Sequence, residues 1–411
     1  MKHDLNKYAE LVISQGLRIK EGDRLVIRGG VDMEPFLLRL TEQAYKHGAS
    51  EVRIDWRSQE MSKLHFAYRT NEELQEVDKF LVDRELDAIN KKYKYLSVVG
   101  EDPNGLADAD QKKVMIARQA SAKALFEFSK KMMANYTSWC VIGCATPAWA
   151  KALFPELKPH EALEKLWDLI FYTMRLDQAD PVKAWEEHIN SLKKRSSWLN
   201  EQQFTTLHYR TKQGTDLHLG LAEGYKFIGA DEHNSDGELF IANMPTEEVF
   251  SMPHAQRVDG VVYNTKPLNL NGTLVDDFHL TFADGKVVDF AAGKGYEALA
   301  NLLDMDEGAR RLGEVALVPY HSPISLTGEL FCHTLFDENA SCHLALGKAY
   351  PTTNEHGHTK SEDELKEMGM NVSLIHVDFM IGDESLEIDG ETKDGKMVPV
   401  FRNGDFVIDQ E

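Results

Sequence analysis

Four cysteines, Cys140, Cys144, Cys332 and Cys342, are all that 411 residues contain. That density argues against a disulfide framework and for a reducing compartment. Cys140 and Cys144 have no second pair or nearby histidine to complete a zinc knuckle, so buried core thiols are expected. Positive charge is short as well. Lys and Arg number 46 against 67 Asp and Glu, a net charge of −21, and this excludes the basic footprint of a nucleic-acid binder. No apolar run approaches the ~18 residues of a membrane span. The opening MKHDLNKYAELVISQGLRIKEGD reads as a charged amphipathic helix without the apolar centre of a signal peptide. The expectation is a cytoplasmic protein with no membrane partner. Also missing are GxGxxG, GxxxxGK[ST] and HExxH. Gly29-Gly30 is therefore expected to be a tight strand-to-helix turn. A one-zinc, helix-based peptidase is excluded.

What is present divides near residue 200. In the first part a strand is expected at Asp23–Gly30, a helix at Met33–Gly48 with Gly48 as its stop, and a strand at Ser50–Trp56. That is a βαβ unit, which implies a parallel sheet with a right-handed crossover. Tyr95–Gly100 and Ser138–Cys144 read as further buried strands, and helical pattern runs from about Pro159 to Asn200. Residues 1–200 are thus expected to form a doubly wound α/β domain. From Phe204 to Phe290 the pattern becomes short alternating runs with Asn271-Gly272 and Asp284-Gly285 as hairpin signals. A helix is expected over Gly295–Gly313, and strands at Glu314–Pro319, Ile375–Ile381 and Pro399–Ile408. Residues 201–411 are expected to be a mostly antiparallel, β-rich domain.

This second part holds the unusual polar residues. SLIHVDFMIG (Ser373–Gly382) reads as a buried strand, yet His376 and Asp378 sit in it two residues apart and so face the same way. Burying both costs several kcal/mol unless they pair or meet a cation, on the order of the penalties known for buried charge. Glu247 and Glu248 in NMPTEEVF, Glu314 in LGEVALVP, and Glu338, His343 and Tyr350 in LFDENASCHLALGKAY complete the set. Each has a plain alternative: a solvated helix start for the glutamate pair, a turn cap for Glu314, core packing for Tyr350 and for a lone histidine. Together, two imidazoles and several carboxylates suit borderline divalent ions such as Zn²⁺, Co²⁺ or Mn²⁺. Only Lys348 adds positive charge to these motifs. That disfavours a two-metal hydrolase of phosphate esters. A non-catalytic ligand-binding protein is disfavoured by the missing phosphate motif.

NMPTEEVF, DENASCHLALGKAY and HVDFMIG, in this order and spacing, resemble the aminopeptidase T family, which includes the aminopeptidases S and PepS. The resemblance spans essentially the whole chain. It implies a cytoplasmic, homodimeric aminopeptidase with two divalent ions per chain (zinc, cobalt, manganese or magnesium) that acts on peptides with a free N-terminus. It implies Glu248, Glu314, His343, His376 and Asp378 as metal ligands, with Glu314 touching both ions, and Tyr350 at or near a metal. Glu338 would be an outer ligand or acid/base, and the general base would be Glu314 or Glu338.

Overall fold

The computed structural model describes residues 3–270, 273–357 and 359–410. The chain forms two compact units. One comprises residues 1–186 and 231–245, the other residues 187–230 and 246–411. The expected boundary near residue 200 lies inside the helix Pro181–Gln202, and the segment 231–245 belongs with the N-terminal unit.

The first unit is a parallel five-stranded sheet. Its order is Glu51–Arg57, Arg24–Gly30, Lys94–Val99, Trp139–Gly143 and Asn243–Met244. Leu25, Val26 and Ile27 are all fully buried although neighbours face opposite ways. Burial on both faces is the mark of a doubly wound sheet, and each such side chain stabilises by roughly 1.5–3 kcal/mol. The helix Glu34–Lys46 buries Phe36, Leu37, Leu40 and Ala44 as one stripe. Gly29-Gly30 closes the strand just before it, and a Cβ on Gly29 would stand 2.9 Å from Leu37. The turn itself is the 3₁₀ segment Val31–Met33, so the glycine pair ends the strand instead of forming the expected turn. Cys140 and Cys144 are buried free thiols whose pKa values burial pushes up.

The second unit holds a nine-stranded antiparallel sheet and a smaller four-stranded one. In the larger sheet Asp284 and Gly285, both at positive φ, join Thr273–Ala283 to Lys286–Lys294. Asn271-Gly272 lies outside the described residues. The helix expected over Gly295–Gly313 is shorter: it spans Tyr296–Leu303 and a 3₁₀ turn follows at Gly308–Arg310. Asp306 ends the pattern between them. Its carboxylate accepts the N–H of Ala309 and of Leu374, so it ties the loop down instead of facing solvent on a helix.

The smaller sheet carries the site. Its strands are β1 (Val249–Ser251), β2 (Leu312–Leu317), β3 (His343–Gly347) and β4 (His376–Met380), antiparallel in that order. On one face Val315, Leu317, Leu344, Leu346 and Phe379 are fully buried. The other face is polar, and its register explains why.

Candidate metal centre

Register aligns the polar residues in rows. Ala345 on β3 stands opposite both Glu314 on β2 and Asp378 on β4. His343 is paired with Ala316, which in turn is paired with Phe250 on β1. Gly347 is paired with His376. Because strand side chains alternate, Glu314, His343, His376 and Asp378 all project from one face. Glu248, two residues before Phe250, leads into the same face. Ala316, Ala345 and Gly347 form a floor too short to fill the space between them. Gly347 is obligatory: its φ is +102° and a Cβ would stand 2.2 Å from the Ile375 carbonyl oxygen.

Glu314 reaches this face through a bulge. Leu312 pairs with Leu346 but Glu314 pairs with Ala345, so Gly313 is the extra residue. Without it, Glu314 would share the apolar face with Leu312. A Cβ on Gly313 would lie 2.2 Å from the Gly347 carbonyl oxygen, so the bulge requires glycine. Bulges of this kind re-aim a side chain beside functional sites.

The side chains converge as two groups sharing one member. Glu248, Glu314 and His343 have ligand atoms within 4.8 Å of one another, and so do Glu314, His376 and Asp378. The Glu314 oxygens divide between them: Oε1 lies 3.5 Å from His343 Nε2, and Oε2 lies 3.7 Å from His376 Nε2. Glu248 Oε2 is 3.1 Å from His343 Nε2, and Asp378 Oδ1 is 3.4 Å from His376 Nε2. Neither carboxylate oxygen has a hydrogen-bond partner among the described residues, although both are buried. Both imidazoles are pinned from behind. His343 Nδ1 is 3.1 Å from the Ser341 carbonyl and His376 Nδ1 is 2.6 Å from the Lys348 carbonyl. A carbonyl only accepts, so Nδ1 carries the proton and each Nε2 faces the carboxylates.

The electrostatics are those of a site with too many acids for its cations. Burial outweighs the pull of His343 and His376 and, with Asp378 and Glu248 adding to it, leaves the Glu314 carboxyl raised. Removal from water, then Glu248 and Asp378, pushes Glu338 well above the carboxylate range. Burial alone would lower both imidazoles. The surrounding carboxylates outweigh it, raising His343 strongly and His376 to about 9. Asp378 is held low despite burial because His376 lies beside it. Tyr350 stands edge-on to His376 at 4.7 Å, and burial with the nearby carboxylates keeps its phenol protonated. Two divalent cations would neutralise Glu248, Glu314, Glu338 and Asp378 together. Orphaned carboxylate oxygens, pre-set imidazoles and surplus negative charge all fit a metal centre.

Every residue singled out in the sequence therefore lies in or against this cluster except Glu247. It is buried beside Glu248, with its carboxylate 3.6 Å from His188, so the pair is no solvated helix start. Glu338 joins neither group of three and sits in the 3₁₀ turn Glu338–Ala340. Sequence reasoning missed the bulge at Gly313, the Ser341 and Lys348 carbonyls, and the part of His188. Only LGE held a signal, a glycine interrupting a strand pattern.

The family model described as thermophilic metalloprotease (M29) matches residues 1–406. The chain belongs to the M29 metalloprotease family. It is 43% identical to aminopeptidase 2 of Geobacillus stearothermophilus, over 99% of this chain and 98% of that one. It is 40% identical to aminopeptidase AmpS of Bacillus subtilis (strain 168), over 98% of each. The solved structure of wild-type AmpT from Thermus thermophilus superposes with a TM-score of 0.92 at 39% identity, covering 98% of both chains. The M29 chain described here is thus a metal-dependent peptidase with the α/β and antiparallel architecture expected from its sequence.

Proposed function

We propose that this chain is an aminopeptidase that removes N-terminal residues from peptides, using two divalent ions held by Glu248, Glu314, His343, His376 and Asp378. The observation that carries the reading is Glu314, whose two oxygens point to two separate three-ligand groups. A carboxylate so placed is a natural bridge between two ions. Ions held there would supply Lewis-acid polarisation of the scissile carbonyl and a water acidic enough to attack near neutral pH.

The chain's own groups do the rest. Glu338 stands outside both ligand groups but close to their carboxylates, which leaves it to take a proton from the attacking water and return it to the leaving amine. Tyr350 keeps its phenol proton and so donates a hydrogen bond to the developing oxyanion. A free α-amine, which a mid-chain amide lacks, is held by one of the site's carboxylates or by one of the ions. The names of the similar aminopeptidases support this substrate class, and the family resemblance supports a cytoplasmic homodimer. Imidazole with carboxylate accepts zinc, cobalt or manganese, with availability selecting among them. Metal-stripped protein reloaded with each ion and offered unblocked aminoacyl chromogenic substrates tests the reading. Absence of turnover with every ion refutes it.

A further inference from the structure

We propose that Asn339 is a positioning residue that fixes Glu338 and the Glu248 segment to one another, and that its amide cannot be reversed. This rests on the aminopeptidase reading above. Asn339 is completely buried and lies next to Glu338 in the 3₁₀ turn. Its Oδ1 accepts the backbone N–H of Glu247 at 2.7 Å, one residue from the ligand Glu248. Its Nδ2 donates to the Leu335 carbonyl at 3.1 Å and to Glu338 Oε1 at 3.4 Å.

The orientation is forced chemically. A backbone N–H can only donate, so it must meet the amide oxygen. A backbone carbonyl can only accept, so it must meet the amide nitrogen. With both ends taken by main chain, one N–H remains for Glu338. It holds Oε1 and leaves Oε2 as the oxygen free to exchange a proton. The same amide sets the height of the Glu247–Glu248 backbone. His188 holds the same segment as well, with Nε2 2.7 Å from the Thr246 carbonyl. Glu248 and Glu338 come from segments about ninety residues apart, and Asn339 links them through one rigid plane. Aspartate cannot replace it: one oxygen would still accept from Glu247, but the other would face Leu335 O and Glu338 Oε1 with no proton to offer.

The test compares Asn339→Asp and Asn339→Ser with the wild type in three readouts: melting with chelator present, binding of added zinc or manganese to stripped protein, and steady-state kinetics on an unblocked aminoacyl substrate. Expected are a hundredfold or greater fall in kcat for Asn339→Asp, KM within threefold, and one of the two ions bound 10–100-fold more weakly, in the range found for groups that orient metal ligands. Asn339→Ser, which cannot reach both partners, loses kcat similarly. In a Glu338→Ala background, with metal held at saturating concentration so that the Glu248 arm is compensated, Asn339→Ser should cost less than threefold further in kcat, because the proton-transfer group it orients is gone. Wild-type kcat in either variant overturns the inference, and so does a full additional loss in the Glu338→Ala background. Those results leave the aminopeptidase reading intact. A wild-type protein that binds no metal and cleaves nothing would instead refute that reading.

Discussion

Glu314→Gln keeps the size of the side chain and removes one charge, which makes it the sharpest probe of a shared ligand. On the two-ion proposal, each ion present at a hundredfold excess over its dissociation constant would stabilise the wild-type fold by about 2.7 kcal/mol. Two ions give roughly 5 kcal/mol, and a body of 150–250 residues shifts by ~2–4 °C per kcal/mol. The transition of the unit that carries the site should therefore rise by about 10–20 °C on loading. Glu248 and Asp378 each belong to one group of three, whereas Glu314 belongs to both. Glu248→Gln and Asp378→Asn should each retain one ion and about half the shift. Glu314→Gln should retain neither ion and show almost no shift. Metal content after gel filtration, read by elemental analysis, and scanning calorimetry with and without chelator measure the two quantities together. Glu314→Gln with two ions per chain and the full shift would show that the groups do not depend on a common carboxylate. The bridging assignment would then be wrong.

Further outcomes are expected. Tyr350→Phe keeps the ring against His376 and Phe250 but removes the hydroxyl, so kcat should fall by about 10²-fold, as for loss of one oxyanion donor, with an unchanged melting temperature; near-normal kcat would remove Tyr350 from the chemistry. Acetylating the α-amine of a peptide abolishes its charge, and matched free and blocked peptides followed by mass should show cleavage of the free form alone; equal cleavage, or internal cuts, would refute the exopeptidase assignment. His208 on the larger sheet has its pKa lowered, by burial first and then by His218 beside it. Its folded pKa is thus below the ordinary 6.5, so its contribution is fully present above about pH 6.5 and is lost as pH falls through the lowered value. Denaturant unfolding of His208→Gln should show a flatter rise of stability from pH 5 to 6.5 than the wild type; an unchanged slope would contradict the assignment. Light scattering should give twice the chain mass, and a concentration-independent single-chain mass would exclude the dimer.

How much of this was legible in the sequence depends on how local each cause is. His376 and Asp378 could be placed on one face from strand alternation alone, because the relevant spacing is two residues. The parallel sheet was legible from local pattern as well: an apolar strand at Leu25–Ile27, a helical stretch from Met33 and a second strand from Ser50 follow one another as a βαβ unit. The meeting of Glu248 with His343 was not legible from spacing. They are ninety-five positions apart, and only register brings Phe250, Ala316 and His343 into one row. The return of residues 231–245 to the first unit was equally hidden, since a two-residue strand such as Asn243–Met244 carries no periodicity. The shortened helix after Gly295 shows the opposite failure. Helical periodicity continued in the sequence, but the Asp306 carboxylate is committed to two backbone N–H groups, and that local competition ends the helix.

The bulge at Gly313 makes the deeper point about how the site is built. A regular strand LGEVAL would put Glu314 with Leu312 and Ala316, so a face polar at Glu314 would also receive Leu312. Inserting one residue lets Leu312 stay against Leu346 in the core while Glu314 turns to Ala345 and the ligands. The apolar packing of β2 therefore need not be given up to build the metal face. This separation also predicts a specific failure. Gly313→Ala places a Cβ where the Gly347 carbonyl stands, 2.2 Å away, so the bulge must open or the two strands must part. A variant that still folds should keep β3 and β4, hence the His376–Asp378 pair, and lose the shared carboxylate. It should bind ions as Glu314→Gln does despite carrying every ligand. A Gly313→Ala protein with wild-type stability and two tightly held ions would show that the bulge is incidental to the site.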